Sequence, residues 1–305
     1  MGLALGVFVA ALATILTNYG SFIQKKELSN LPRIGEAKII TTIKAFASSR
    51  AWLTGQGVQI AGAGLHNIAI ALAPLSVVQP VNAAGICLLV VLAVTRLGEK
   101  ATLVDWIGIG TIVTGVLLLG ISLVNTPSKA SAYRPVLLWM FIILMFAVAI
   151  STLVAAFMRK DERTSSFLGI GVGLLVGLTA ILMKMTWTDL GNRWGEYKTA
   201  GFVFSWYFWL SIILTIFSMV LFQMALQRGK AIVVVPLVTG FSNLIPTFVG
   251  FMAFGEKLPN GGVMVGFRLG SILLIIGGAV ILSLRGEPKD EKTGAPVCLN
   301  EPGFP

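Results

Sequence analysis

Charge is scarce in this 305-residue chain. Asp, Glu, Lys and Arg make up 12% of it, about half of the roughly 25% that soluble domains carry. Hydrophobic residues make up 56%, so there is too little polar surface to cover a water-soluble globule. Histidine occurs once, at His66, and cysteine twice, at Cys87 and Cys298. One cysteine inside an apolar run and one in the tail do not make a disulfide framework, and no metal-ligand spacing is present. The chain also lacks G-x-x-x-x-G-K-[ST], H-E-x-x-H and G-x-S-x-G, and has no paired aspartates within its apolar runs. Nothing supports direct use of ATP or an enzyme activity, and no cofactor is implied. Loops too short for a soluble domain argue against a receptor or adaptor. The ten-residue alternating strands of an outer-membrane barrel are absent as well.

What is present is a series of long apolar runs, at about 2–23, 51–74, 76–97, 103–124, 135–158, 165–187, 202–226, 231–254 and 262–284. Each is long enough to cross a hydrocarbon core of about 30 Å at 1.5 Å per residue. Backbone groups must pair internally in lipid, so these runs are read as helices. The fold class is an all-α membrane protein, a polytopic bundle of about nine transmembrane helices with the bilayer as its partner. The first run has no basic lead or cleavage pattern and reads as a retained helix. Residues 24–50 form the one long early loop. Its second half suits a short amphipathic helix on the membrane surface. Arg33, Lys38, Lys44 and Arg50 against Glu36 make a tenth span costly. After Arg285 the composition, GEPKDEKTGAPVCLNEPGFP, is that of a disordered tail. The expected division is 1–126 as a first half of about four helices, 133–285 as a second of about five, and 286–305 as the tail.

The net charge of +10 does not point to nucleic acid, because the basic residues lie between apolar runs rather than on one face with aromatics. Their placement orients the chain. With the N-terminus outside, cytoplasmic segments hold sixteen Lys/Arg and outer segments six, leaving Arg268 inside the last run. The positive-inside rule therefore favours an outer N-terminus and a cytoplasmic C-terminus, and the cell membrane is the expected location. Trp52, Trp106, Trp139, Trp187 and Trp209 fall near run ends, where interfacial anchors belong.

One phrase occurs twice. APLSVVQPVNAAGICLLVVLAVTRLGEK at 73–100 and ALQRGKAIVVVPLVTGFSNLIPTFVGFMAFGEK at 225–257 both carry an internal proline and close on Gly-Glu-Lys. Gly98 and Gly255 suit helix termination, and Thr102 and Asp105 form a capping box for the helix that follows. Pro259 stands near the corresponding start in the second copy. Each copy leads into a Gly-rich helix, at 105–123 and 266–284, where small residues allow close helix approach. An odd number of crossings between the copies makes them an inverted-topology repeat, a plan of secondary transporters.

The order GSFIQKKEL, ALAPLSVVQPVNA, GEK, DWIGIGTIVTGV and then ALQRGKAIVVVPLVTGFSNLIPTFVGFMAFGEK resembles the drug/metabolite transporter (DMT, EamA-like) superfamily, whose halves carry such helix–GEK–helix hairpins. The resemblance spans most of residues 2–285. Within the superfamily the pattern is similar to the NIPA-type magnesium transporters, which have nine spans. It implies a secondary transporter that moves a small polar solute by alternating access or, in the NIPA-like reading, Mg2+. A homodimer is compatible with it.

Few polar residues lie within the runs. Gln59 and His66, seven apart, share a helix face with Asn67 nearby, and an intramembrane ionisable residue is a functional candidate by default. Gln79 and Asn82 flank Pro80, and Ser242 and Asn243 lie between Pro236 and Pro246. Proline frees a carbonyl four residues earlier, so a broken helix beside amides offers ligands for a polar or cationic solute. Gln223 is a further candidate for the cavity wall. For each, interhelical hydrogen bonding is the plainer reading. Arg268, about 9 Å into the last run, is expected to snorkel outward in a structural role. Glu99 and Glu256 read as helix-terminal. No Asp or Glu lies near the middle of any run. That leaves no carboxylate for proton exchange or for a dehydrated Mg2+, and favours a neutral or zwitterionic solute on site chemistry alone.

Overall fold

In the computed structural model residues 2–36, 38–72, 75–122, 134–158, 163–197, 205–253 and 261–284 are described. They form ten helices and, among the described residues, no strand. These are α1 (Gly2–Leu28), α2 (Ile39–Ser48), α3 (Arg50–Leu72), α4 (Leu75–Arg96), α5 (Leu103–Ser122), α6 (Pro135–Met158), α7 (Thr164–Tyr197), α8 (Trp206–Arg228), α9 (Ala231–Ala253) and α10 (Gly262–Leu284). Each apolar run of the sequence is matched by one long helix. Among the described residues, six helices are long and apolar enough to cross a membrane. Their outer faces carry large apolar side chains, including Phe8 on α1, Ile143 on α6, Ile213 on α8 and Leu273 on α10. Such faces would be untenable in water and are ordinary in lipid. The tail and Gly255, Glu256 and Pro259 lie outside the described residues.

Two ends differ from expectation. Helix α1 continues to Leu28 instead of stopping at residue 23, so Gln24 belongs to the helix and not to the loop. Helix α7 runs for 34 residues, about 51 Å at 1.5 Å per residue. The amphipathic segment forms α2, with Ile39, Ile40 and Ile43 exposed and Phe46 buried. Trp52 is not an interfacial anchor. It is buried in the corner between α2 and α3, edge-on to Phe46 with ring centroids 5.1 Å apart.

The helix α1 packs on α3 and α4, and α7 on α6, α8 and α9. The two groups meet where α9 and α10 lie on α5 and α9 on α4. The α5–α10 seam is built on glycines. A methyl group added at Gly278 would lie 2.8 Å from the Gly108 carbonyl oxygen, and one at Gly115 would lie 3.0 Å from that of Ser271. The start of α5 thus faces the end of α10, and the two Gly-rich helices run antiparallel. The end of α4 likewise meets the start of α9, through Glu99. The two copies of the repeated phrase therefore run in opposite senses, as an inverted repeat requires.

The caps match the sequence reading. Gly98 has φ of 67°, and the Glu99 N–H donates to the Ala93 carbonyl at 3.1 Å, so a left-handed glycine ends α4. Asp105 Oδ2 accepts from the Thr102 N–H at 2.8 Å and from its hydroxyl at 3.0 Å. Asp105→Ala removes both bonds and is expected to cost about 1 kcal/mol, read as a lowered Tm of the detergent-solubilised protein.

Arg268 does not snorkel. It is 3% exposed and directs Nε toward Ser122 Oγ at 3.4 Å. The antiparallel seam faces it into the bundle, toward the end of α5, so the nearest polar partner is protein rather than water. Nor does proline break α9, which continues through Pro236 and Pro246 as one helix. Asn243 Nδ2 donates to the Thr239 carbonyl at 2.7 Å and Ser242 Oγ to the same oxygen at 3.1 Å, so these side chains serve their own helix.

Candidate functional site, an amide cluster joining three helices

Helices α1 and α3 run antiparallel in close contact because small residues face one another. A methyl group at Gly20 would lie 2.7 Å from the Gly55 carbonyl oxygen, and one at Gly62 would lie 2.9 Å from that of Ala13. This approach brings glutamines of the two helices together. Gln24 Nε2 donates to Gln56 Oε1 at 3.0 Å and to Gln59 Oε1 at 2.9 Å. Gln59 Nε2 donates to Ser21 Oγ at 3.1 Å. From α8, Gln223 Nε2 donates to Gln24 Oε1 at 2.5 Å. Gln24 is 0% exposed and Gln223 2%.

With the Gln24 amide set this way, the sense of its bond to Gln223 follows. Gln24 spends both N–H groups on carbonyl oxygens, so its own oxygen must accept from Gln223. Turning the Gln223 amide over would set two carbonyl oxygens against each other. The consequence is that Gln223 Oε1 is buried with no hydrogen-bond partner. A buried acceptor left in that state costs about 1–3 kcal/mol, which marks it as a group that gains from a donor or a cation.

Two of the expected site residues, Gln59 and Gln223, are thus brought together. Asn243 Nδ2 donates within α9, to the Thr239 carbonyl. His66 is half-buried on the same stripe of α3 as Gly55, Gln59, Gly62 and Ala69, about 10 Å deeper than Gln59 along the axis. The side chains of Asn67, Gln79 and Asn82 lie outside the described residues. The cluster is also not at mid-depth. Gln24 is four residues from the end of α1 and Gln223 five from the end of α8, which sets it toward the end of the bundle that carries the 24–50 segment. Gln24 escaped the sequence reading because the lysines after it suggested a loop. Gln56, though visible within the run, gave no sign of facing α1.

Beyond the cluster, at the ends of α1, α4 and α8, lies a pocket of about 520 Å3. Its wall holds Lys25, Lys26, Arg33, Lys100, Arg228 and Lys230 against a single carboxylate, Glu99. That carboxylate is engaged, accepting from the Ala231 N–H at 2.8 Å and the Ile232 N–H at 3.1 Å and so capping α9. Lys25 Nζ donates to the Leu226 and Gly229 carbonyls at the end of α8 and stands 4.0 Å from Glu99 Oε1. Sequence reasoning placed Glu99 at a helix terminus correctly, but the helix it serves is α9 and not its own. Among the described residues, no group of three or more His, Cys, Asp or Glu is set to hold a metal ion.

A bundle with apolar outer faces, polar groups gathered inside and two oppositely directed hairpins defines a multi-pass helical membrane protein. Over 281 aligned residues the chain is 27% identical to "Probable magnesium transporter NIPA9" of Arabidopsis thaliana, a match covering 88% of this chain and 77% of that protein. No protein-family model matches the chain, and no solved structure matches it significantly.

Proposed function

We propose that the protein is a multi-pass secondary transporter of the DMT type that moves Mg2+ by alternating access between two inverted halves, 1–126 and 133–285. The observation that carries the reading is the antiparallel setting of the two hairpin copies, α4–α5 against α9–α10. Opposed hairpins support a reading as two half-bundles facing opposite sides of the bilayer. The similarity to a protein described as a probable magnesium transporter supplies the ion.

The amide cluster fits a particular mode of handling that ion. Mg2+ prefers oxygen ligands and dehydrates reluctantly. The side-chain oxygens of Gln59, Gln223 and Ser21 are hard donors without charge, and suit a water-clad ion in passage rather than a naked one held tightly. His66, on the same stripe of α3, extends the polar path in this reading, and Asn67, Gln79 and Asn82 are kept as proposed ligands on the sequence alone. The absence of a carboxylate from the cluster favours a second substrate class, a small neutral or zwitterionic metabolite.

The test is uptake into proteoliposomes with an entrapped Mg2+-sensitive dye, run beside a panel of labelled polar metabolites. Wild type is expected to pass Mg2+, with the initial rate reduced more than tenfold in Gln24→Leu and Gln223→Leu and also reduced in His66→Ala and Asn82→Ala. Metabolite flux without Mg2+ flux would move the substrate to the second class. Unchanged rates in all four folded variants would remove the amide path. Orientation is tested separately. Cys298 is expected to resist impermeant thiol reagents applied to intact cells and to react after permeabilisation, with the Cys87→Ser variant isolating its signal.

A further inference from the structure

The cationic pocket adjoins a second cavity of opposite character. This crevice, of about 760 Å3, is bounded by α2, the start of α3 and α8, and is lined by Ile39, Ile43, Phe46, Leu53, Met219 and Val220. A single turn separates the two cavities. Arg33 faces the cationic pocket, and the next two residues, Ile34 and Gly35, line the apolar crevice. The turn is tied to α8. The Ile34 N–H donates to Gln227 Oε1 at 3.0 Å, and Gln227 Nε2 donates to the Pro32 carbonyl at 3.1 Å. Gly35, at φ 94°, lets the chain reverse against Arg228 and Met224, each 3.9 Å from where its Cβ would stand. Helix α8 passes both cavities, with Met219, Val220 and Gln223 on one side and Leu226, Gln227 and Arg228 on the other.

Two buried polar atoms on the apolar side have no hydrogen-bond partner. They are Trp52 Nε1, a donor, and Gln223 Oε1, an acceptor, and both residues line the crevice. An apolar slot set beside a pocket with six cations and one engaged carboxylate has the pattern of an amphiphile. The body is hydrocarbon and the head is an anion. Cations clustered at the ends of membrane helices hold anionic head groups in this way.

We infer that the paired cavities form a binding site for one anionic phospholipid, its phosphate head among Lys26, Arg33, Lys100 and Arg228 and one acyl chain along α2, α3 and α8. The site adjoins the amide cluster, with Gln223 common to both. It would also neutralise a mouth whose charge otherwise opposes the passage of any cation.

The experiment uses the full-length protein in mixed micelles with a fluorescent phosphatidylglycerol as probe. Unlabelled phosphatidylglycerol, phosphatidylcholine and inorganic phosphate serve as competitors. Lys26, Arg33 and Lys100 are all exposed, so their replacement by Gln leaves the fold intact. Near an anionic head group each basic residue contributes about 1 kcal/mol, or roughly fivefold in affinity. The triple variant is therefore expected to bind the probe more than tenfold more weakly. Phosphatidylcholine is expected to compete at least tenfold less well than phosphatidylglycerol. Val220→Trp, which fills the crevice, should weaken lipid binding while leaving the thermal transition in place. Equal competition by phosphatidylcholine would overturn the assignment of the head group. Displacement by inorganic phosphate at low millimolar concentration would overturn the lipid in favour of a soluble anion. Unchanged binding in the triple variant would overturn the site. Binding is read without any flux, so failure here is distinguishable from failure of the transport reading.

Discussion

Gly278→Leu is expected to abolish recovery of folded protein, whereas Gly277→Leu, one residue earlier, is expected to leave it intact. The two glycines differ only in what lies beside them. A Cβ at Gly278 would stand 2.7 Å from Ile112 Cγ1, 2.8 Å from the Gly108 carbonyl oxygen and 3.1 Å from the Ile112 nitrogen, while a Cβ at Gly277 meets nothing within 4 Å. Two of the three obstacles at Gly278 are backbone of α5 and cannot rotate aside, so α5 and α10 must part. Overpacking of a well-fitted interface costs about 1–3 kcal/mol when side chains can adjust, and here the larger figure is a floor. Parting the helices also withdraws Ser122 from Arg268. Size-exclusion profiles of the solubilised variants decide the matter. A monodisperse Gly278→Leu peak with wild-type Tm would mean that the seam is not packed as described.

Glu99→Ala carries the second large effect. It leaves the first two N–H groups of α9 without acceptors and removes the carboxylate beside Lys25. Loss of an N-terminal cap costs about 1 kcal/mol, and a buried N–H left unpaired costs about 1–3 kcal/mol. The expected total is about 3 kcal/mol, seen as a fall in Tm. Glu99→Gln keeps one acceptor and is expected to lose about 1 kcal/mol. The pairing with Lys25 predicts non-additivity. Once Lys25 is Met, removing the carboxylate should cost less than it does in the wild-type background. A Glu99→Ala protein as stable as wild type would show that water replaces the cap.

The helices, their order and the opposed hairpins were legible because lipid imposes them through composition alone. A run of twenty apolar residues admits one backbone solution, and a short polar junction forces the next helix to turn back. The cap at Thr102–Asp105 was legible because its partners are three residues apart. What depended on rotation about the helix axis was not. Gln24 looked like the start of a loop because two lysines follow it, yet it is the most connected side chain of the amide cluster. Arg268 looked able to reach water because only its depth was counted, and the neighbouring helix decides otherwise. Trp52 had the position of an anchor but is covered by α2, a helix that the sequence suggested without saying what it would shield. Asn243 had the company of two prolines, but an unbroken α9 let it satisfy its own backbone.

The elbow at residues 229–230 has a mechanical consequence. Its two arms are held by side chains from earlier in the chain, the carbonyls ending α8 by Lys25 of α1 and the amides opening α9 by Glu99 at the end of α4. A lysine and a glutamate thus act as two bolts through one hinge plate. Parting these helix ends therefore breaks four hydrogen bonds made by two side chains.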